Sequence, residues 1–82
     1  MASFALGLAA SASAPYAVAI GPYTEANGEK QIALGAYNIP DNSSTYCLIV
    51  GNGDDQDNPS NALTIDWNGN TEIAGNIKAS GI

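Results

Sequence analysis

Large apolar side chains alternate with alanine in short bursts along the first half of the chain. The bursts are Phe4-Ala5-Leu6, Val18-Ala19-Ile20 and Ile32-Ala33-Leu34, and each is followed by a glycine, so that Gly7, Gly21 and Gly35 are evenly spaced. Alternation with period two is the pattern of a strand, and a glycine directly after it is free to turn the chain. Set in rows of 14, the segment is SFALGLAASASAPY, AVAIGPYTEANGEK and QIALGAYNIPDNSS. Glycine and proline interrupt every row, so no helical i, i+3, i+4, i+7 stripe survives. Each row predicts strand, turn, strand, turn: one coil of a parallel β-solenoid.

The columns of this alignment assign the faces. Phe4, Val18 and Ile32 form one column and Leu6, Ile20 and Leu34 another, and both are expected to fill the coil's own interior. The intervening Ala5, Ala19 and Ala33 are expected where another backbone approaches closely. In the second half-row Ala12 aligns with Ala26 and Ala14 with Gly28, while Tyr23 and Tyr37 align so that their rings can stack. A fourth strand and glycine follow at Tyr46 to Gly51, but Gly51 comes later after Gly35 than the even spacing allows, which predicts a two-residue insertion around Asp41 to Thr45. With that shift Leu48 and Val50 continue the two apolar columns, and Ile49 replaces alanine.

The pattern then changes. Asn52 to Asn61 is a polar loop with aspartates at Asp54, Asp55 and Asp57; a solvated acidic loop is the expected reading, and calcium held by the three carboxylates is the alternative chemistry. Beyond it Leu63, Ile65 and Trp67 alternate with Thr64 and Asp66, predicting a strand, a turn at Asn68-Gly69-Asn70 and a second strand. A three-residue turn with Asn70 left-handed would oppose Ile65 to Ile73 and Asp66 to Glu72, and Ile73, Gly75, Ile77 and Ala79 would extend the apolar face. Three regions result: a β-roll over 3–52, an acidic connecting loop over 53–61 and a β-hairpin stem over 62–82.

Composition narrows the function classes. Two lysines, Lys30 and Lys78, stand against eight acidic residues, giving a net charge of −6 that repels a phosphate backbone; nucleic acid is not an expected partner. No apolar run reaches the ~20 residues of a membrane-spanning helix, and Met1 to Ala14 lacks a basic start and already carries the repeat, so it is not read as a signal peptide. There is no histidine and one cysteine, which leaves no zinc or haem site and no His-dependent nucleophile within one chain. Cys47 is expected to pack on a strand. No cofactor is expected and no enzyme: Asp66 and Glu72 are the only carboxylates worth weighing as an acid–base pair, and both are expected on a wet face. With alanine making up much of the apolar content, one chain builds a thin core, and self-association through stacked columns is the economical way to bury more.

The Ala-φ-Gly phrase and its 14-residue period, with Ala12 and Ala26 in the second half-row, resemble the head repeats of trimeric autotransporter adhesins and of bacteriophage tail fibres. The run Ser60 to Asn70, SNALTIDWNGN, is similar to the segment that follows such repeats in phage tail fibres and minor tail structural proteins. The resemblance implies a homotrimeric, fibrous, all-β protein: a left-handed parallel β-roll packed about one axis and followed by the hairpin stem. Phe4, Leu6, Val18, Ala19, Ile20, Ile32, Ala33, Leu34, Leu48, Val50, Ile65, Trp67 and Ile73 are then the core and trimer-packing residues. The expected function is a structural and adhesive segment of a phage tail fibre, a spacer or receptor-binding tip located in the virion tail. The alternatives are the head of a bacterial trimeric surface adhesin at the cell surface, or a glycan-binding module stacking sugars on Tyr16, Tyr23 and Tyr37. A cell-surface glycan or protein receptor would be the partner.

Overall fold

A computed structural model describes residues 2–81, and the fold is all-β. Eight strands follow in order: β1 (Phe4–Leu6), β2 (Ser11–Ala12), β3 (Val18–Ile20), β4 (Glu25–Ala26), β5 (Ile32–Ala36), β6 (Tyr46–Asn52), β7 (Asn61–Asp66) and β8 (Thr71–Ile73). A six-stranded sheet has the order β1-β3-β5-β6-β7-β8, and a two-stranded sheet pairs β2 with β4. The first four strands of the large sheet are parallel and in the register that the row alignment predicts: Ala5 opposes Ala19, Ala19 opposes Ala33, and Ala33 opposes Ile49. The expected β-solenoid is therefore present, with about four turns.

Each coil turns at two corners. Left-handed backbone recurs at an even step, at Ala9, Tyr16, Tyr23, Lys30 and Tyr37. The corners are four-residue turns closed by Ala10 N–H to Gly7 O, Ala17 to Ala14, Thr24 to Gly21 and Gln31 to Gly28, at 3.1–3.4 Å. Pro15 and Pro22 take the second position of two of them, where a fixed φ suits the turn. A non-glycine residue in this conformation costs about 1 kcal/mol, and the ladder bonds Tyr23 N–H to Leu8 O and Tyr37 N–H to Pro22 O (2.8 and 3.1 Å) help hold it. Glycine is required where the coils touch: Gly21 has φ +120°, and a Cβ there would overlap the carbonyl oxygen of Gly35.

The two faces of the large sheet are exchanged relative to the expectation. Ala17, Ala19, Ala26, Ala33 and Ile49 are fully buried and form the core between the two sheets, whereas Phe4, Leu6, Ile20 and Ile32 lie on the outside. The reason is the thickness of a coil. Each half-coil is short, with little of it in a strand, and the apolar positions enclosed between the two sheets hold alanine, with Ile49 the largest side chain fully buried. Ile49 fits because its coil is longer. Tyr37 still stacks on Tyr23, its equivalent in the preceding row, while Ser44 lies against Gly28 rather than against its own row equivalent, Lys30. The extra residues thus enter between Tyr37 and Ser44, overlapping the expected Asp41 to Thr45 turn.

The small sheet stops after β4 because the next coil carries Asn38-Ile39-Pro40 there, and two side-chain amides stand in for the missing backbone. Asn38 Oδ1 accepts from Glu25 N–H (2.7 Å) and its Nδ2 donates to Glu25 O (3.1 Å). Gln31 Oε1 accepts from Asn27 and Gly28 N–H, and its Nε2 donates to Asp41 Oδ2 and Tyr46 O, both at 3.0 Å. Asp41 in turn accepts from the backbone of Ser43 and Tyr46. Among the described residues every buried side-chain polar atom has a partner, as a low-dielectric interior demands.

The C-terminal strands do not form a separate stem. β7 pairs antiparallel with β6, so the hairpin continues the same sheet across the loop at 53–61. Its register differs from the expected one: Thr64 opposes Glu72, Leu63 opposes Ile73 and Ile65 opposes Thr71. Gly69, with φ +87°, is the left-handed residue rather than Asn70. The Asp66 carboxylate fixes this loop by accepting from Asn68 N–H, Asn70 N–H and Asn70 Nδ2, at 2.9–3.0 Å. Trp67 leaves the apolar row and sits in the turn, its Nε1 donating to Ser44 O at 3.0 Å. Beyond Ile73 no strand continues among the described residues, and Ile77 is exposed.

Candidate interface site

Register carries the large apolar residues across the large sheet in two unbroken rows. One runs Phe4, Val18, Ile32, Leu48, Ile65; the other runs Leu6, Ile20, Leu34, Val50, Leu63, Ile73. Residues opposed in register share a face of the sheet, so the rows lie side by side on the outer surface. Phe4 and Leu6 are 53% and 59% exposed, and Ile20 and Ile32 are both 38% exposed. The opposite face reads Ala5, Ala19, Ala33, Ile49, Thr64, Glu72 along the same strands and becomes polar where the small sheet no longer covers it. Isolated exposed apolar residues are ordinary, but a contiguous face of this kind marks an interaction surface.

The tyrosines divide into two groups. Tyr23 and Tyr37 are stacked, with ring centroids 5.0 Å apart and planes inclined by 8°. Tyr16 occupies the alternate corner of its coil and is 55% exposed, so it does not join them. Beside the pair lies a cleft of about 360 Å³ lined also by Glu25, Asn38, Pro40 and the acidic loop residues Asp55, Gln56 and Pro59. A second hollow of about 600 Å³ opens between the loop at 39–46 and the hairpin, with Asp41 and Glu72 in its wall.

The acidic loop is folded on itself. Asp55 Oδ1 accepts from Asp57 N–H (2.9 Å) and Asn58 Nδ2 (3.0 Å), and Asp54 N–H donates to Asn58 O. Among the described residues no three acidic or thiol side chains converge as a metal would need, so Asp54, Asp55 and Asp57 are not brought together as a calcium cage. Asp66 and Glu72 are not cross-strand neighbours either. The Asn70 side-chain amide and then its backbone N–H hold the Asp66 carboxyl below the usual carboxylate range, against an opposing effect of desolvation and with further help from the Asn68 and Gly69 backbone. A carboxylate committed to a turn in this way is ill suited to proton transfer. Cys47 is half-buried on β6, its Sγ 3.6 Å from Asp66 O.

Gln31, Asn38 and Asp41 are the working polar residues that column analysis missed. A signal existed: Gln31 stands in the same column as Ala17, and Asn38 in the same column as Thr24. A long amide in a column of small residues points to a side chain turned inward to meet backbone.

A thin parallel β-solenoid with an alanine interior and an apolar outer sheet defines the class: a β-repeat protein. Two overlapping copies of the YadA head domain repeat match the chain, over residues 2–24 and 12–38. The match covers β1 to β5, where the row register is unbroken. It names an adhesin head repeat and lends no support to a bacteriophage tail-fibre origin. No curated protein and no solved structure matches the chain.

Proposed function

We propose that this chain is a non-enzymatic segment of the head of a homotrimeric adhesin on a bacterial cell surface, with three copies covering one another's outer sheets. The observation that carries the reading is the pair of apolar rows running across the large sheet with no partner in the single chain. Covering each large side chain contributes about 1.5–3 kcal/mol, so a continuous face of such residues favours association strongly. Parallel, in-register copies about one axis let every coil meet its own equivalent, and the adhesin-head match supports three as the number. Its role is then to present binding surfaces at the edge of the trimer to a cell-surface glycan or protein receptor. Multi-angle light scattering tests the assembly directly. The expected mass is three times the 8.3 kDa of the chain, persisting on dilution, and a stable monomer overturns the reading.

A further inference from the structure

The cleft beside the tyrosine stack has a chemistry of its own. The stacked Tyr23 and Tyr37 line it together with two acidic residues, Glu25 and Asp55, and Asn38, Pro40, Gln56 and Pro59 complete the lining. Neither of the chain's two lysines, Lys30 and Lys78, is among the lining residues, so no basic side chain of the cleft neutralises it. Both bonds to the Asp55 side chain fall on Oδ1, which leaves Oδ2 free of them. Carboxylates beside a phenol ring attract a cation through direct pairing, and through the ring quadrupole where the cation lies over the ring face that the stack leaves uncovered. A neutral sugar could stack on the rings and donate its hydroxyls to the carboxylates, but it carries no charge to neutralise them.

We propose that this cleft binds a lysine or arginine side chain presented by a protein receptor. The proposal deepens the adhesin reading and rests on it for the partner being a receptor, but the cleft is formed by one protomer. It lies on the side of the small sheet, to which Glu25 belongs, across the alanine core from the apolar rows. Assembly through those rows leaves it open. The stack is what fixes the wall: Tyr37 is held on Tyr23 by the coil repeat, and Asn38, bonded to the Glu25 backbone, fixes the strand from which the Glu25 side chain projects.

The test is an NMR titration of the full chain, with its mass followed by light scattering in the same buffer. The probes are Nα-acetyl-lysine amide and Nα-acetyl-arginine amide, with methyl N-acetylglucosaminide as the neutral comparison. The expected result is saturable movement of the Tyr23 and Tyr37 ring signals by the cations alone, weakened as salt is raised. Glu25→Gln should weaken binding by up to roughly fivefold, the upper end for an exposed charge pair, while Glu72→Gln, which removes the same charge elsewhere, should not. Ring movement by the sugar and not by the cations overturns the proposal in favour of glycan binding. Equal effects of Glu25→Gln and Glu72→Gln overturn it in favour of diffuse attraction to a chain of net charge −6. A monomeric mass with specific cation binding would refute the trimer and leave the cleft standing.

Discussion

The two faces of the large sheet are made from the same strands, yet they do opposite work. The inner face carries Ala5, Ala19 and Ala33 and closes the molecule on itself; the outer carries Phe4, Leu6, Val18, Ile20, Ile32 and Leu34 and leaves it unfinished. In most small domains the bulky residues go inside. Here stability within the chain comes from backbone ladders and methyl contacts, while Phe4, Leu6, Ile20 and Ile32 stay exposed on the outer face. Size therefore predicts location in reverse. Alanines, with Ile49 as the exception, mark the intrachain core, and larger apolar residues such as Phe4 and Leu6 mark the outer surface.

That contrast can be broken from the inside with the largest effect. Gly21→Ala forces a Cβ into the Gly35 carbonyl at φ +120°, and we expect a loss of several kcal/mol, with no cooperative melting transition by circular dichroism. Next is Ala19→Leu, which inserts an isobutyl group where there is no space. A cost of about 1–3 kcal/mol should appear as a lower melting temperature even in the dissociated chain; an unchanged value would return Ala19 to an interchain contact. Asn38→Leu removes the amide that pairs with Glu25, and leaving that strand's backbone groups unsatisfied should cost about 1–3 kcal/mol. Its check is faster hydrogen exchange at the Glu25 amide, with the amide of Ile49 unaffected.

The outer face should respond differently. Combined Phe4→Ser, Ile20→Ser and Ile32→Ser should lower the assembled mass while the circular dichroism of the coils persists. Unfolding at every concentration would show that the outer rows also support the single chain. The smallest effect belongs to the hairpin, which neither face governs. Because its folded pKa is depressed, Asp66 supports the turn above the unfolded carboxylate range, about 3.9, and that support is lost as pH falls through the folded value. The protection of the Asn68 and Asn70 amides, measured against their intrinsic exchange rates at each pH, should fall in that acid window in the wild type. Asp66→Asn should remove the pH dependence.

The repeat, its register and its strands were legible because parallel in-register stacking forces chemically similar residues into columns. The stacking of Tyr23 on Tyr37 followed from the same rule. Which face points inward was not legible: alternation distinguishes two faces without naming the buried one, and only the close spacing of corners, which sets the coil's thickness, decides it. That spacing is hard to see because Ala9 and Lys30 interrupt the chemical likeness of Tyr16, Tyr23 and Tyr37, with which they share a backbone conformation. Pro15-Tyr16 and Pro22-Tyr23, at the same step, were its visible trace. The hairpin register failed for a different reason: Ile73 finds an apolar partner in Leu63 as well as in Ile65, so apolar matching does not choose between the registers, and the position of Gly69 and the reach of the Asp66 carboxylate go with the observed one.

The two amides that follow β4 have a consequence for solubility. A two-stranded sheet in a repeating array exposes backbone that any passing strand could join, and such edges seed aggregation. Asn38 and Gln31 act as a chain terminator does in a polymerisation: each satisfies the last unit's donors and acceptors and offers no new backbone for another to copy. The repeat thus carries its own instruction to stop on one side, which lets the large sheet go on growing into the hairpin while the small one ends cleanly.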